Sequence, residues 1–207
     1  VVVTKFHPLA DVARLARLGV REVGENRVQE ATAKVRDLAQ EHPDLVDVVH
    51  WNMVGHIQSN KAAAVAGWAD RVHSVDSAKV ARGLERGRAR VATELDQVEP
   101  LPVLLQLSLD GDPARGGVTR EDLPELADLV AGLTHLRLAG LMVVPPLDGD
   151  PAAHFTDAAG VLETLRRDHP GAVEFSAGMT ADMEAAVAAG STCVRVGTAV
   201  LGPRPVV

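Results

Sequence analysis

Apolar, β-branched runs of strand length alternate with longer amphipathic stretches of helical period along this 207-residue chain. Eight such runs lie near 1–5 (VVVTK), 20–23 (VREV), 49–54 (VHWNMV), 71–75 (RVHSV), 102–108 (PVLLQLS), 136–144 (LRLAGLMVV), 172–176 (AVEFS) and 192–197 (TCVRVG). Between them, NRVQEATAKVRDLAQEH places Val28, Ala31, Val35, Leu38 and Ala39 on one helical face, with Glu30 and Lys34 as an i,i+4 ion pair. HFTDAAGVLETLRR repeats the pattern through Phe155, Ala159, Leu162 and Leu165. The most polar stretch, RGLERGRARVATELDQVEP, reads as a helix end followed by a loop.

Strand, helix and strand at this spacing imply right-handed parallel crossovers, and eight strands so connected predict a closed (β/α)8 TIM barrel of the α/β class. The alternative is an open doubly wound sheet. Its dinucleotide-binding form is disfavoured, because TKFHPLAD after the first strand contains no glycine. No linker or charge block divides the chain, so residues 1–207 are expected to form one domain. A strand at residue 1 without an initiator methionine predicts that an N-terminal segment precedes the chain.

Composition narrows the function. Lys and Arg total 21 against 28 Asp and Glu, a net charge of −7, which leaves no footprint for nucleic acid or an anionic membrane. No apolar run is long enough to span a bilayer. Cys193 is the single cysteine, which excludes an internal disulfide and suits the cytoplasm. His50, His56 and His73 are not spaced as metal ligands, and no metal is expected. The expected partner is a small molecule or another protein.

The working face of a barrel is the C-terminal end of its strands, and chemistry-bearing residues fall there. Strand alternation puts Val1, Val3 and Lys5 on one side, so Lys5 points into the mouth if the valines fill the interior. A desolvated amine can form a Schiff base with a carbonyl; a lysine snorkelling at a strand end is the plainer reading. After the seventh run come Ser176, Gly178, Met179 and Thr180, the last an expected helix N-cap, and after the eighth come Gly197 and Thr198. Loops at these two positions commonly hold phosphate in barrels, against plain turn and capping roles. Alternation also turns Arg195 inward with Cys193, where it needs an acceptor, and sets Glu174 beside Ser176. Asn26, with Gln29, is a candidate helix cap, while His56 and Asn60 end the third run.

Taken together, TKFHP, GENRVQE, HWNMVGHIQSNK, VHSVD, LAGLMVV and FSAGMTADMEAAVAAGSTCVRVGTAVLG resemble the pyridoxal phosphate homeostasis proteins, single-domain relatives of alanine racemase. The resemblance runs in order across nearly the whole chain. It implies that Lys5 carries pyridoxal 5′-phosphate (PLP) as an internal aldimine, and that Ser176, Gly197 and Thr198, with backbone around Met179 and Thr180, hold its phosphate. It also implies that Arg195 faces the pyridine nitrogen and that Asn26 lies close to the cofactor. Asn52 stands where the family usually has histidine and Thr4 where serine is common, and the family's helix ahead of the first strand is expected in the segment that precedes residue 1.

An arginine donates to the ring nitrogen and cannot protonate it, so the ring is a poorer electron sink. Alanine racemase uses a tyrosine as one base, and this sequence has no tyrosine. The expectation is therefore a PLP carrier in vitamin B6 and amino-acid homeostasis without turnover. It would be a monomer, in transient contact with PLP-requiring enzymes. A PLP-dependent amino-acid racemase and a Schiff-base aldolase without PLP are the alternatives.

Overall fold

Seven parallel strands pair in strict chain order in the computed structural model, which describes residues 1–95, 98–112, 115–146 and 148–203. They are β1 (Val2–Val3), β2 (Glu22–Glu25), β3 (His50–Met53), β4 (Arg71–Val75), β5 (Leu101–Leu107), β6 (Leu136–Val143) and β7 (Glu174–Ser176). The helices are α1 (Leu9–Arg17), α2 (Val28–Glu41), α3 (Ala62–Val65), α4 (Ala78–Glu94), α5 (Leu123–Ala131), α6 (Pro151–Asp168), α7 (Met183–Ala188) and α8 (Thr198–Leu201). The α/β class and the parallel crossovers are as the periodicity predicts.

The expected eighth strand is the principal difference. Residues 192–197 form no ladder but make single parallel bridges, Cys193 to Ser176 of β7 and Val196 to Val2 of β1. Their backbone bonds are divided: Thr192 and Cys193 both donate to the Phe175 carbonyl, Arg195 donates to Gly178, and Val196 exchanges bonds with Val1 and Val3. Each bridge involves a single residue of the run and is not continued by the next, whereas a ladder requires consecutive bridges to one neighbour. The seven strands curl into a half-barrel, for side chains of β4 and β7 meet across its concave face although two strands lie between them in the sheet.

Alternation sorts the two faces. Val103, Leu105 and Leu107 of β5 and Leu141 and Val143 of β6 pack outward with Phe155 and Leu162 of α6 and Leu126 and Val130 of α5 in one buried cluster. Each such side chain contributes about 1.5–3 kcal/mol by leaving water. The concave face carries a small apolar group, Leu104, Ala139 and Met142, together with the buried polar Asn52, His73, Ser176 and Arg195. Two helices begin on ordinary caps: Ser77 Oγ accepts from Val80 N–H before α4, and Asp150 Oδ1 accepts from Ala152 N–H before α6, with Pro151 at its first turn.

Three details differ from the sequence reading. In α2 the buried face is Val28, Ala31, Lys34 and Leu38, while Ala39 is exposed. In α6 it is Ala158, not Ala159, that is buried with Phe155, Leu162 and Leu165. Most of the polar stretch from Arg82 belongs to α4, and its positions 96 and 97 lie outside the described residues. Among the described residues, no helix is long and apolar enough to cross a membrane.

Candidate functional site

The short β1 delivers Lys5 into a tight turn. His7 N–H closes it on the Thr4 carbonyl at 3.0 Å, and Phe6 takes φ +67°, a left-handed conformation rare for a bulky residue. What holds that turn is a buried ion triad. Lys34 Nζ donates to Glu25 Oε1 at 2.7 Å, to Glu30 Oε1 at 2.8 Å and to the Thr4 carbonyl at 2.8 Å. Thr4 Oγ1 donates to Glu25 Oε1 at 2.6 Å, and Phe6 N–H donates to Glu30 Oε1 at 2.6 Å. Both residues flanking Lys5 are thus tied to the triad. Burial pushes the Glu25 carboxyl up from its usual range, opposed by Lys34 and Thr4. The expected i,i+4 pair of Glu30 and Lys34 is present, as one side of this internal structure.

Lys5 opens onto a cavity of about 350 Å³ lined by Asn26, Met179, Thr180, Arg195, Gly197 and Thr198, with His7, Val54 and Val144 among the rest. All of these lie at or beyond the C-terminal ends of strands, or within or just after the 192–197 segment. Val3 and Lys5 share the cavity, as alternation predicts, even though β1 ends at Val3. Asn26 reaches it because Gly55 has no side chain: a Cβ there would lie 2.2 Å from the Asn26 carbonyl oxygen. Gly178 turns the β7 loop at φ +94°, and a Cβ there would sit 2.6 Å from Ala186 Cβ. Arg195, only 5% exposed, donates from Nη2 to the Val143 carbonyl at 2.9 Å and from Nη1 to Ser176 Oγ at 2.7 Å. Burial lowers its pKa, yet a guanidinium stays cationic.

Seven of the eight predicted binding residues thus meet at one cavity. The eighth, Ser176, lies beneath it, fully buried, its Oγ bound to Arg195 and to His73 Nδ1 at 2.8 Å. Asn26 does not cap α2, whose N-cap is Arg27 without a side-chain bond. Thr180 does not cap α7 either; Asp182 holds that position and its Oδ1 accepts from Met179 N–H at 2.6 Å. Glu174 pairs with Arg71, at 3.1 Å from Nε. His56 stands apart, paired with Asp76 at 3.2 Å and exposed. Sequence reasoning passed over His7 and Val144, although both sit just beyond a strand's C-terminal end, where alternation and the barrel rule could have found them.

His73 is fully buried, and its pKa is well below the usual imidazole value, first because of desolvation and then because of Arg195 and Arg71. It stays neutral in the folded chain while the unfolded chain takes up a proton below about pH 6.5. The unfolded state then binds more protons, so stability falls on acidification by about 1.4 kcal/mol per pH unit from this group. Urea unfolding across that range should show the slope, and His73→Gln should remove this part of it.

Comparison with known proteins follows the same lines. Residues 1–205 match the family described as alanine racemase, N-terminal domain. The chain is 49% identical to a pyridoxal phosphate homeostasis protein of Corynebacterium glutamicum, over 98% of this chain and 89% of that protein. It is 46% identical to the protein of that description from Mycobacterium bovis, over 98% and 81%. The structure of PipY from Synechococcus elongatus PCC7942 with PLP bound superimposes with a TM-score of 0.82 at 34% identity, covering 98% of this chain and 91% of that one. Sequence and fold agree: the chain belongs to the alanine racemase N-terminal-domain family and, within it, to the pyridoxal phosphate homeostasis proteins.

Proposed function

We propose that the chain binds PLP reversibly at Lys5 and serves PLP and amino-acid homeostasis as a carrier without catalytic turnover. One observation carries this reading. In a chain of net charge −7, the cavity at the strand ends is lined by Lys5, His7 and Arg195, and no carboxylate is among its described lining residues. Such a cavity suits an anion that also offers a group for an amine, and its volume falls in the range of small-ligand sites. The names of the relatives and the PLP bound to PipY support the same ligand.

The residues present fit PLP. PLP supplies an aldehyde that condenses reversibly with primary amines. Lys5 would hold that carbon, and Arg195 would donate to the ring nitrogen. Thr180 and Thr198 hydroxyls, with backbone at Met179 and Gly197, would hold the phosphate, and Asn26 would border the ring. A guanidinium leaves the ring nitrogen unprotonated, which disfavours chemistry that stores charge in the ring. With no tyrosine in the chain, the base used by alanine racemase is missing. We read residues 1–207 as one (β/α)8 domain closed by the bridged 192–197 segment, its last four residues lying outside those described. The same reading makes it a cytoplasmic monomer that meets PLP-requiring enzymes transiently.

Incubating the PLP-loaded protein with L-alanine and following both enantiomers separates carrier from racemase. No more than one equivalent of D-alanine per chain is expected. Sustained turnover would contradict the carrier reading.

A further inference from the structure

Arg195 is a buried cation whose two hydrogen bonds go to a hydroxyl and a carbonyl, with no carboxylate in contact among the described residues. Its compensation can be traced atom by atom along the concave face. Asn52 Nδ2 faces three acceptors, Glu22 Oε2 at 2.8 Å, the Val23 carbonyl at 3.2 Å and the His50 carbonyl at 3.3 Å. That fixes the amide orientation, so Asn52 Oδ1 is the atom facing His73 Nε2 at 3.0 Å, and an amide oxygen only accepts. The Nε2 must therefore carry the proton. His73 is buried near two cations and touches no carboxylate, so it is neutral and its Nδ1 is bare. Ser176 must then donate its hydroxyl proton to Nδ1, which leaves the Oγ lone pairs facing Arg195.

We propose that Glu22, Asn52, His73 and Ser176 form a hydrogen-bond relay of single polarity that holds the Arg195 guanidinium at the floor of the cavity. Every donor in the relay points toward the Glu22 carboxylate and every acceptor toward Arg195, so oriented dipoles carry the influence of a distant anion to a cation that meets none directly. Ser176, His73 and Asn52 are on this account positioning residues. The hydroxyl of Ser176 is committed to Arg195 and His73 rather than to a phosphate. The relay itself stands on the hydrogen bonds; only the identity of the ligand above Arg195 rests on the PLP reading.

Two measurements test it. In the ligand-free, histidine-labelled full chain at neutral pH, nitrogen NMR should show His73 as the Nε2–H tautomer. An Nδ1–H tautomer or a doubly protonated ring would overturn the relay, whether or not the protein ever takes up PLP. In the second, Asn52→Leu breaks the relay at a residue separated from Arg195 by Ser176 and His73 and lying outside the cavity lining. It should weaken PLP binding roughly tenfold, the order expected when a hydrogen-bond chain to a charged group is cut, and shift the absorption band of the bound cofactor. Asn52→His can still accept from His73 and donate onward, and should restore both. Wild-type affinity and spectrum in Asn52→Leu would overturn the positioning role. Failure of the wild-type chain to bind PLP would instead sink the functional reading and leave the NMR result to decide the relay.

Discussion

Lys5→Ala is expected to abolish the visible absorption band of the PLP-loaded protein and all borohydride-fixed cofactor, while leaving the chain folded. The first part follows from chemistry: of the residues lining the cavity, Lys5 is the one with a primary amine. The second follows from packing. Lys5 is partly exposed and stands in a turn whose geometry is set by its neighbours, with Thr4 and Phe6 tied to Glu25, Glu30 and Lys34 through backbone groups and the Thr4 hydroxyl. Removing the side chain leaves those bonds in place, so the change in unfolding free energy should stay within about 1 kcal/mol. Absorbance after PLP titration and urea unfolding check the two halves separately. A variant that keeps the band would remove Lys5 from the account; one that unfolds would show that the amine also supports the turn.

Lys34→Met should have the largest effect on stability. Lys34 is 7% exposed, and it is the cation facing Glu25, which is fully buried. Removing it strands a carboxylate whose other oxygen, Oε2, already has no hydrogen-bond partner among the described residues. Breaking one side of a buried pair costs about 3–5 kcal/mol, because the remaining charge keeps its desolvation penalty. Adding Glu25→Gln removes that charge, so the double variant should be less destabilised than the sum of the single changes, a coupling that a double-mutant cycle by urea unfolding would reveal. The same substitution frees the Thr4 carbonyl beside Lys5 and removes the cation that gathers Glu25 and Glu30 under the turn, so PLP uptake should slow in whatever fraction remains folded. A loss under about 1 kcal/mol would mean that the triad is an ornament of the turn rather than its support.

The parts of the fold that local pattern dictates were legible in the sequence. β4 spans the predicted residues, a run of strand length with β-branched Val72 and Val75, and β5 and β6 shift by a residue at most. β2 begins two residues later than predicted because Val20 N–H is spent on the Leu15 carbonyl, closing α1 instead of opening a strand. The 192–197 run has the composition of a strand, yet its donors are shared among three partners, which no propensity records. At the site, position at a strand's end was enough to find Lys5, Asn26, Arg195, Gly197 and Thr198. It could not separate Ser176 from Thr180: one hydroxyl ends β7 and the other lies four residues on, and only the curvature that brings β4 opposite β7 sets Ser176 against His73. Lys34 was hidden for a similar reason. A Glu and a Lys four residues apart read alike on a solvent face and on a buried one, and what buries this pair is Glu25 on β2 and the turn after β1.

The central claim is a covalent link at one amine, and the chain has four lysines on which to test it: Lys5, Lys34, Lys61 and Lys79. Borohydride reduction of the PLP-loaded protein, followed by peptide mass mapping, is the most direct measurement. The cofactor mass is expected on the peptide containing Lys5 and on no other. Cofactor fixed on Lys34, Lys61 or Lys79 in its place, or on no peptide at all, would contradict it.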